Sequence, residues 1–103
     1  MSEPDEIIHQ SHRLKIMAAV DVDREPLDFT RLKKISGATD GNLGAHLATL
    51  EKAGYVTIQK EPIGKRTRTL VSITDTGRQA FRRHLDYLQS ILGSGPIDMR
   101  RAT

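Results

Sequence analysis

Apolar residues recur along this chain in two rhythms. Phe29, Leu32 and Ile35 fall three apart, and Leu43, Leu47 and Leu50 fall four and three apart. That is the spacing of side chains on one face of an α-helix. Asp28 and Thr39 stand where N-caps belong, and Gly37 and Gly54 where the helices should stop. Past Gly54 the rhythm changes. Residues 55–61 and 67–73 are rich in β-branched side chains and flank Pro62-Ile63-Gly64-Lys65-Arg66, which predicts two strands joined as a hairpin. A last helix is predicted from the Thr74-Asp75 cap to about Leu92, where Gly93-Ser94-Gly95-Pro96 breaks it.

The terminal helices are less simple. A first helix is predicted over about residues 5–20, before a polar loop at 21–26. Ile7, Leu14, Met17 and Ala18 share one of its faces, while Ile16 and Val20 lie on the other. A lone surface helix needs one apolar stripe. In the last helix Phe81, Leu85, Leu88 and Leu92 form one stripe, and Ala80, His84, Tyr87 and Ile91 a second beside it. Either both helices wrap the core of one chain, or they meet a second subunit. The apolar excess favours a homodimer, with Ile8, Ile16, Val20, His84, Tyr87, Leu88 and Ile91 as its dimerisation residues. The expected fold class is α+β, mainly helical: a winged helix-turn-helix with a β-hairpin wing and long N- and C-terminal helices forming a dimer. Residues 1–5 are expected to be a flexible N-terminus, 6–92 the folded domain with its terminal dimerisation helices, and 93–103 a flexible tail.

Helix 39–53 carries the candidate chemistry. With its leucines turned inward, Gly41, Ala45, Ala48 and Lys52 point directly away from them, and Asn42 and Thr49 flank that outward face. Small and polar groups suit a helix pressed into a groove. Asn42 has the donor and acceptor that read adenine, and Thr49 suits a thymine methyl or a phosphate. His46 lies about 60° from the centre of the leucine stripe, a position that fits a half-buried packing histidine as well as a base or phosphate contact. Thr39 and Gly41 complete the face.

Charge sharpens this picture. The 16 Lys and Arg against 13 Asp and Glu leave a formal net charge of +3, too mild to argue for nucleic acid alone. Placement says more: acids cluster at Glu3, Asp5 and Glu6, whereas Arg31, Lys33, Lys34, Lys65, Arg66 and Arg68 make the middle basic. Cations on a hairpin tip and the preceding helix are where phosphates would dock. The chain has no Cys, which excludes disulfides, thiol nucleophiles and Cys-ligated zinc. No apolar run approaches the roughly 20 residues that span a bilayer, and the acidic start lacks a signal-peptide core. A cytoplasmic protein without membrane contact is expected. Scattered acids and the lack of a Gly-rich phosphate loop argue against an enzyme, and nothing calls for a cofactor.

Several of these residues coincide with a known pattern. Phe29-Thr30-Arg31-Leu32-Lys33, Thr39-Asp40-Gly41-Asn42-Leu43-Gly44-Ala45-His46-Leu47, Leu50-Glu51-Lys52-Ala53-Gly54-Tyr55-Val56, Lys65-Arg66 and Ile73-Thr74-Asp75-Thr76-Gly77-Arg78 resemble the small winged-helix transcriptional regulators related to the MarR and ArsR groups, in particular the compact winged helix DNA-binding domain proteins. The resemblance runs from Arg13 to Leu92. It implies a dimeric regulator of double-stranded DNA with residues 40–53 as recognition helix and Asn42, Ala45, His46 and Thr49 near the DNA. Gly44-Ala45 stands where relatives often carry Ser-Arg, which removes a cationic contact and leaves more of the work to the wing. Two rival readings stay open. One is a metal- or ligand-responsive ArsR-like regulator using His9, His12 and His84-x-Asp86. The other is a winged-helix protein-interaction module without DNA binding. The resemblance supplies neither an operator nor an effector.

Overall fold

The computed structural model describes residues 3–23 and 25–93. In chain order these form α1 (Ser11–Val22), β1 (Leu27–Asp28), α2 (Phe29–Ser36), α3 (Asp40–Lys52), β2 (Val56–Ile63), β3 (Arg66–Ile73) and α4 (Asp75–Gly93). This is the α+β winged helix that the apolar rhythms predict. Of the tail predicted at 93–103, Gly93 instead ends α4, and 94–103 lie outside the described residues.

Local chemistry sets most boundaries. Asp28 caps α2 by accepting the Arg31 backbone N–H at 2.8 Å. Gly37 ends that helix with φ 74°, a left-handed conformation that costs glycine little. Thr39 caps α3 through the Asn42 N–H at 3.2 Å. Inside, Leu43 and Leu50 are fully buried and Leu47 nearly so. They pack with Leu32 of α2, Ile16, Met17 and Val20 of α1, Val56 and Val71 of the sheet, and Phe81 of α4. Ile35, expected to face inward, is instead 40% exposed at the end of α2.

The antiparallel sheet has the order β1-β3-β2. β1 was not foreseen: Leu27 and Asp28 pair with Val71 and Leu70, a two-residue strand too short to show alternation. The hairpin is also tighter than the expected five-residue loop. Pairing runs from Val56↔Ile73 to Ile63↔Arg66, so Gly64-Lys65 is the whole turn. Gly64 has φ 60° and among the described residues no non-glycine residue has positive φ, the signature of a type II′ turn with glycine in first place. Pro62 is tolerated inside β2 because β2 is an edge strand, where a missing N–H breaks no interior ladder.

The first helix starts six residues later than the periodicity suggests, because two caps divide the stretch. The Asp5 carboxylate accepts the N–H groups of Ile7 and Ile8 at 2.9 and 3.0 Å, closing a separate turn over the first residues. Gln10 is extended (ψ 133°) and its side chain accepts the Arg13 N–H, so α1 begins afresh at Ser11. The resulting N-terminal arm is tied down. The other Asp5 oxygen accepts the Tyr55 hydroxyl at 2.7 Å, and the Asp5 N–H donates to His84 Nδ1 at 3.1 Å. Burial, reinforced by the Asp5 bond, pushes the Tyr55 phenol up to about 12. At the other end of α1, Asp21 takes ion pairs from Arg78 at 3.0 Å and Arg82 at 3.1 Å on α4.

These contacts revise the expected dimer face. Ile8 and Ile16 are fully buried, Val20 is 2% exposed and His84 1%, all within one chain. The two-sided character of α1 is explained by the arm and α4 lying over it, so these four residues have no surface left for a partner. Tyr87 and Leu88 are half-buried, while Ile91 and Leu92 are 50% and 53% exposed on the far part of α4.

His84 gives the fold a pH dependence. Its Nδ1 accepts a backbone N–H, so the neutral ring carries its hydrogen on Nε2, which is buried without a hydrogen-bond partner among the described residues. Burial and then nearby His9 push its pKa below the ordinary value, with Asp5 opposing. A folded pKa below the unfolded one means stability that is full above about pH 6.5 and drains as pH falls through that value. The midpoint of thermal unfolding should therefore drop between about pH 7.5 and pH 5, and His84→Gln should reduce that drop. Identical pH profiles for the two proteins would refute the assignment.

Candidate nucleic-acid interface

α3 presents the open face expected of it. Thr39, Asp40, Gly41, Asn42, Gly44, Ala45, Ala48, Thr49 and Lys52 are all exposed. A Cβ built on Gly41 or on Gly44 would meet nothing within 4 Å. The side-chain amide of Asn42 makes no hydrogen bond among the described residues and keeps both its donor and its acceptor available. Thr49 is more committed: its hydroxyl donates to the Ala45 carbonyl at 3.1 Å. It can still accept, but it does not carry a free proton toward a phosphate.

The basic residues divide into two groups. Lys33 pairs with Asp40 at 2.7 Å, which joins α2 to the start of α3 and neutralises the acid nearest the exposed face. Both partners are exposed, so the pair adds little stability. Arg68 lies opposite Glu61 in the sheet register and pairs with it at 3.3 Å. Arg31, Lys34, Lys65 and Arg66 are exposed and take part in no ion pair among the described residues. Lys65 and Arg66 therefore leave the tip of the wing with unopposed positive charge, and Lys60 adds another exposed cation lower on β2. Behind the tip, an open cleft of about 480 Å³ separates the start of α2 from the hairpin, lined by Asp28, Phe29 and Thr30 on one side and Ile63 and residues 66–69 on the other.

His46 is half-buried and engaged on its inner side. Arg13 of α1 lies 3.0 Å from its Nδ1, and the His12 ring stacks on it with centroids 5.3 Å apart. Burial first, then Arg13 and His12, push its pKa below the ordinary histidine value. Arg13 was not among the sequence-based candidates, and His12 entered only as a possible metal ligand. They reach His46 from 33 and 34 positions away, and no local periodicity signals such a contact. The histidines proposed to meet as metal ligands across a dimer are divided within one chain. His9 lies against His84 at 5.5 Å, but His12 is with His46. Among the described residues no three His, Cys, Asp or Glu side chains are placed to hold a metal ion.

A helix-turn-helix whose second helix is bare and small on its outer face, followed by a hairpin with a cationic tip, defines a module of the winged-helix DNA-binding class. Comparison with known proteins agrees, and the chain belongs to the winged helix DNA-binding domain family, whose model matches residues 12–92. It is 40% identical over 73 residues to an uncharacterized protein of Methanocaldococcus jannaschii, covering 71% of this chain and 78% of that one. Among solved structures, it is similar to a transcriptional regulator homologue of Pyrococcus horikoshii OT3, with 33% identity, a TM-score of 0.77 and coverage of 87% and 88% of the two chains. The fold is also shared with the transcriptional repressor CouR, solved bound to a 23-mer DNA duplex (TM-score 0.63, 23% identity, 93% and 70% coverage). Among the described residues no helix is long and apolar enough to cross a membrane.

Proposed function

We propose that this protein is a sequence-specific, double-stranded-DNA-binding transcriptional regulator that acts in the cytoplasm as a homodimer. The observation that carries the reading is the outer face of α3. Gly44 in the helix interior costs about 1 kcal/mol relative to alanine, and no neighbouring atom of the chain lies close enough to require it. A surface that approaches from outside, such as the floor of a major groove, accounts for it. In this reading Asn42 reads a base edge, Thr39, Gly41, Ala45 and Thr49 line the groove, and Lys65 and Arg66 hold phosphates from the wing, with Arg31 and Lys34 beside them. Lys33 and Arg68 contribute less because each is paired within the chain.

The dimer is assigned to the far part of α4, where Tyr87, Leu88, Ile91 and Leu92 continue the apolar stripe beyond the core. A two-fold axis there would present two α3 helices to half-sites about one DNA turn apart. Selection of binders from random duplex DNA at two salt concentrations tests both claims. An enriched pseudo-palindrome is the expected result. A single enriched half-site would remove the dimer, and salt-sensitive binding without enrichment would remove the sequence specificity. Failure to bind at low salt would favour a protein-interaction module instead.

A further inference from the structure

The His12–His46 pair has a chemistry that packing does not explain. Arg13 Nη1 lies 3.0 Å from His46 Nδ1. A guanidinium only donates, so that nitrogen is bare and the neutral ring keeps its hydrogen on Nε2. The His12 ring is set the same way. Gln10 Oε1 accepts the Arg13 backbone N–H at 2.9 Å, which places the amide NH₂ of Gln10 3.2 Å from His12 Nδ1 and again puts the ring hydrogen on Nε2. Neither Nε2–H has an acceptor among the described residues. The rings lie nearly parallel, 28° apart in plane, so the two donors belong to adjacent faces of one small surface.

The cluster is also electrically one-sided. Arg13 donates its Nε to the Ile7 carbonyl at 2.6 Å, a neutral group. No carboxylate is hydrogen-bonded to or ion-paired with Gln10, His12, Arg13 or His46 among the described residues. One uncompensated cation and two outward N–H donors are complementary to an anion that offers acceptors and no proton. Their place is the flank of α3 that also carries Asn42 and Thr49. A DNA strand passing along that flank brings a phosphodiester to it.

We propose that His12 and His46, oriented by Gln10 and Arg13, form a contact for one backbone phosphate beside the recognition helix, which makes His12 of α1 a DNA-binding residue. This rests on the DNA-binding reading above. The contact is coupled to protons. In the free protein, burial, Arg13 and His12 all disfavour the charged form of His46. A bound phosphate favours that form, so the pKa in the complex lies above that in the free protein. Affinity gained this way is complete below the free pKa and lost as pH rises through the bound one. Proton uptake by His46 adds up to about tenfold in affinity per pH unit within that window.

The test uses the full chain and a mixed-sequence duplex at about pH 5.5 and pH 7.5, either side of the ordinary histidine pKa of about 6.5. Wild-type binding should tighten by about tenfold or more at the lower pH. Its dependence on log salt should steepen by about one, the contribution of one added phosphate contact. Both effects should shrink in His12→Gln and in His46→Gln and vanish in the double variant. Titration of His84, which only changes stability, would leave the salt slope unmoved. Wild-type salt and pH dependence in His12→Gln would overturn the contact while leaving DNA binding intact. Failure of the wild type to bind at either pH would overturn the DNA reading itself, and this contact with it. Nitrogen-15 NMR of the wild-type rings needs no variant: His12 Nε2 should shift as duplex is added, and an unmoved resonance rules the contact out.

Discussion

Gly77→Ala should lower the thermal midpoint by roughly 8–16 °C, the shift expected from about 2 kcal/mol in a domain of this size. A Cβ on Gly77 would collide with the Tyr55 carbonyl oxygen and lie 2.8 Å from its carbon and 2.9 Å from Tyr55 Cα. All of these are backbone atoms, and they cannot retreat. The Tyr55 N–H donates to the Leu50 carbonyl at 3.0 Å, and the Tyr55 carbonyl accepts the Thr74 N–H at 3.0 Å. Thr74 clamps the same corner, donating its hydroxyl to the Gly54 carbonyl at 2.6 Å and accepting the Gly77 N–H at 2.9 Å. Overpacking against such a site costs about 3 kcal/mol, whereas alanine recovers only about 1 kcal/mol of helix propensity, so the clash wins. Gly44→Ala is the matching control. With open space around it, that change should stabilise the protein by about 1 kcal/mol. Unfolding curves of the two variants that coincide would refute the account of both.

Lys65→Ala with Arg66→Ala should weaken DNA binding by roughly 60-fold at about 0.1 M salt, and by much less near 1 M. Each phosphate contact contributes about 0.9 to the slope of log affinity against log salt, so losing two removes nearly two from that slope. The geometry leaves both cations exposed and unopposed. Arg68, held by Glu61 across the strands, should matter less when replaced. The loss should be uniform across duplex sequences, because a backbone contact carries no base information. Filter binding across a salt series measures both numbers. An unchanged slope would mean that the wing tip does not lie on the DNA.

The parts of this molecule that the chain announces are those governed by near neighbours. Asp28, Thr39 and Thr74 cap their helices, Gly37 and Gly54 end theirs, and Leu43, Leu47 and Leu50 mark the inner face of α3, because each effect acts over a few residues. What stayed hidden depends on distant partners. Ile16 and Val20 look like surplus apolar surface until the N-terminal arm and α4 are seen to cover them. The break in the helix expected from Asp5 is the exception, made by two local caps, Asp5 on Ile7 and Ile8 and Gln10 on Arg13, with only the Tyr55 bond that anchors Asp5 coming from afar. Leu27 and Asp28 become a strand only because Val71 and Leu70 lie beside them. The angle of His46 on its helix fits packing and contact alike, and the neighbours that engage its inner side, Arg13 and His12, arrive from another helix.

The N-terminal arm has a practical consequence. Its Asp5 touches both Tyr55, where the wing begins, and His84 of α4. Through the Ile7 carbonyl it also supports Arg13, which grips His46 of α3. An affinity tag fused close to Asp5, or a trimmed version starting at α1, would therefore disturb the wing, α4 and α3 together. Binding measured on such material would describe an altered protein, so purification handles should be kept away from this end or removed cleanly before any assay.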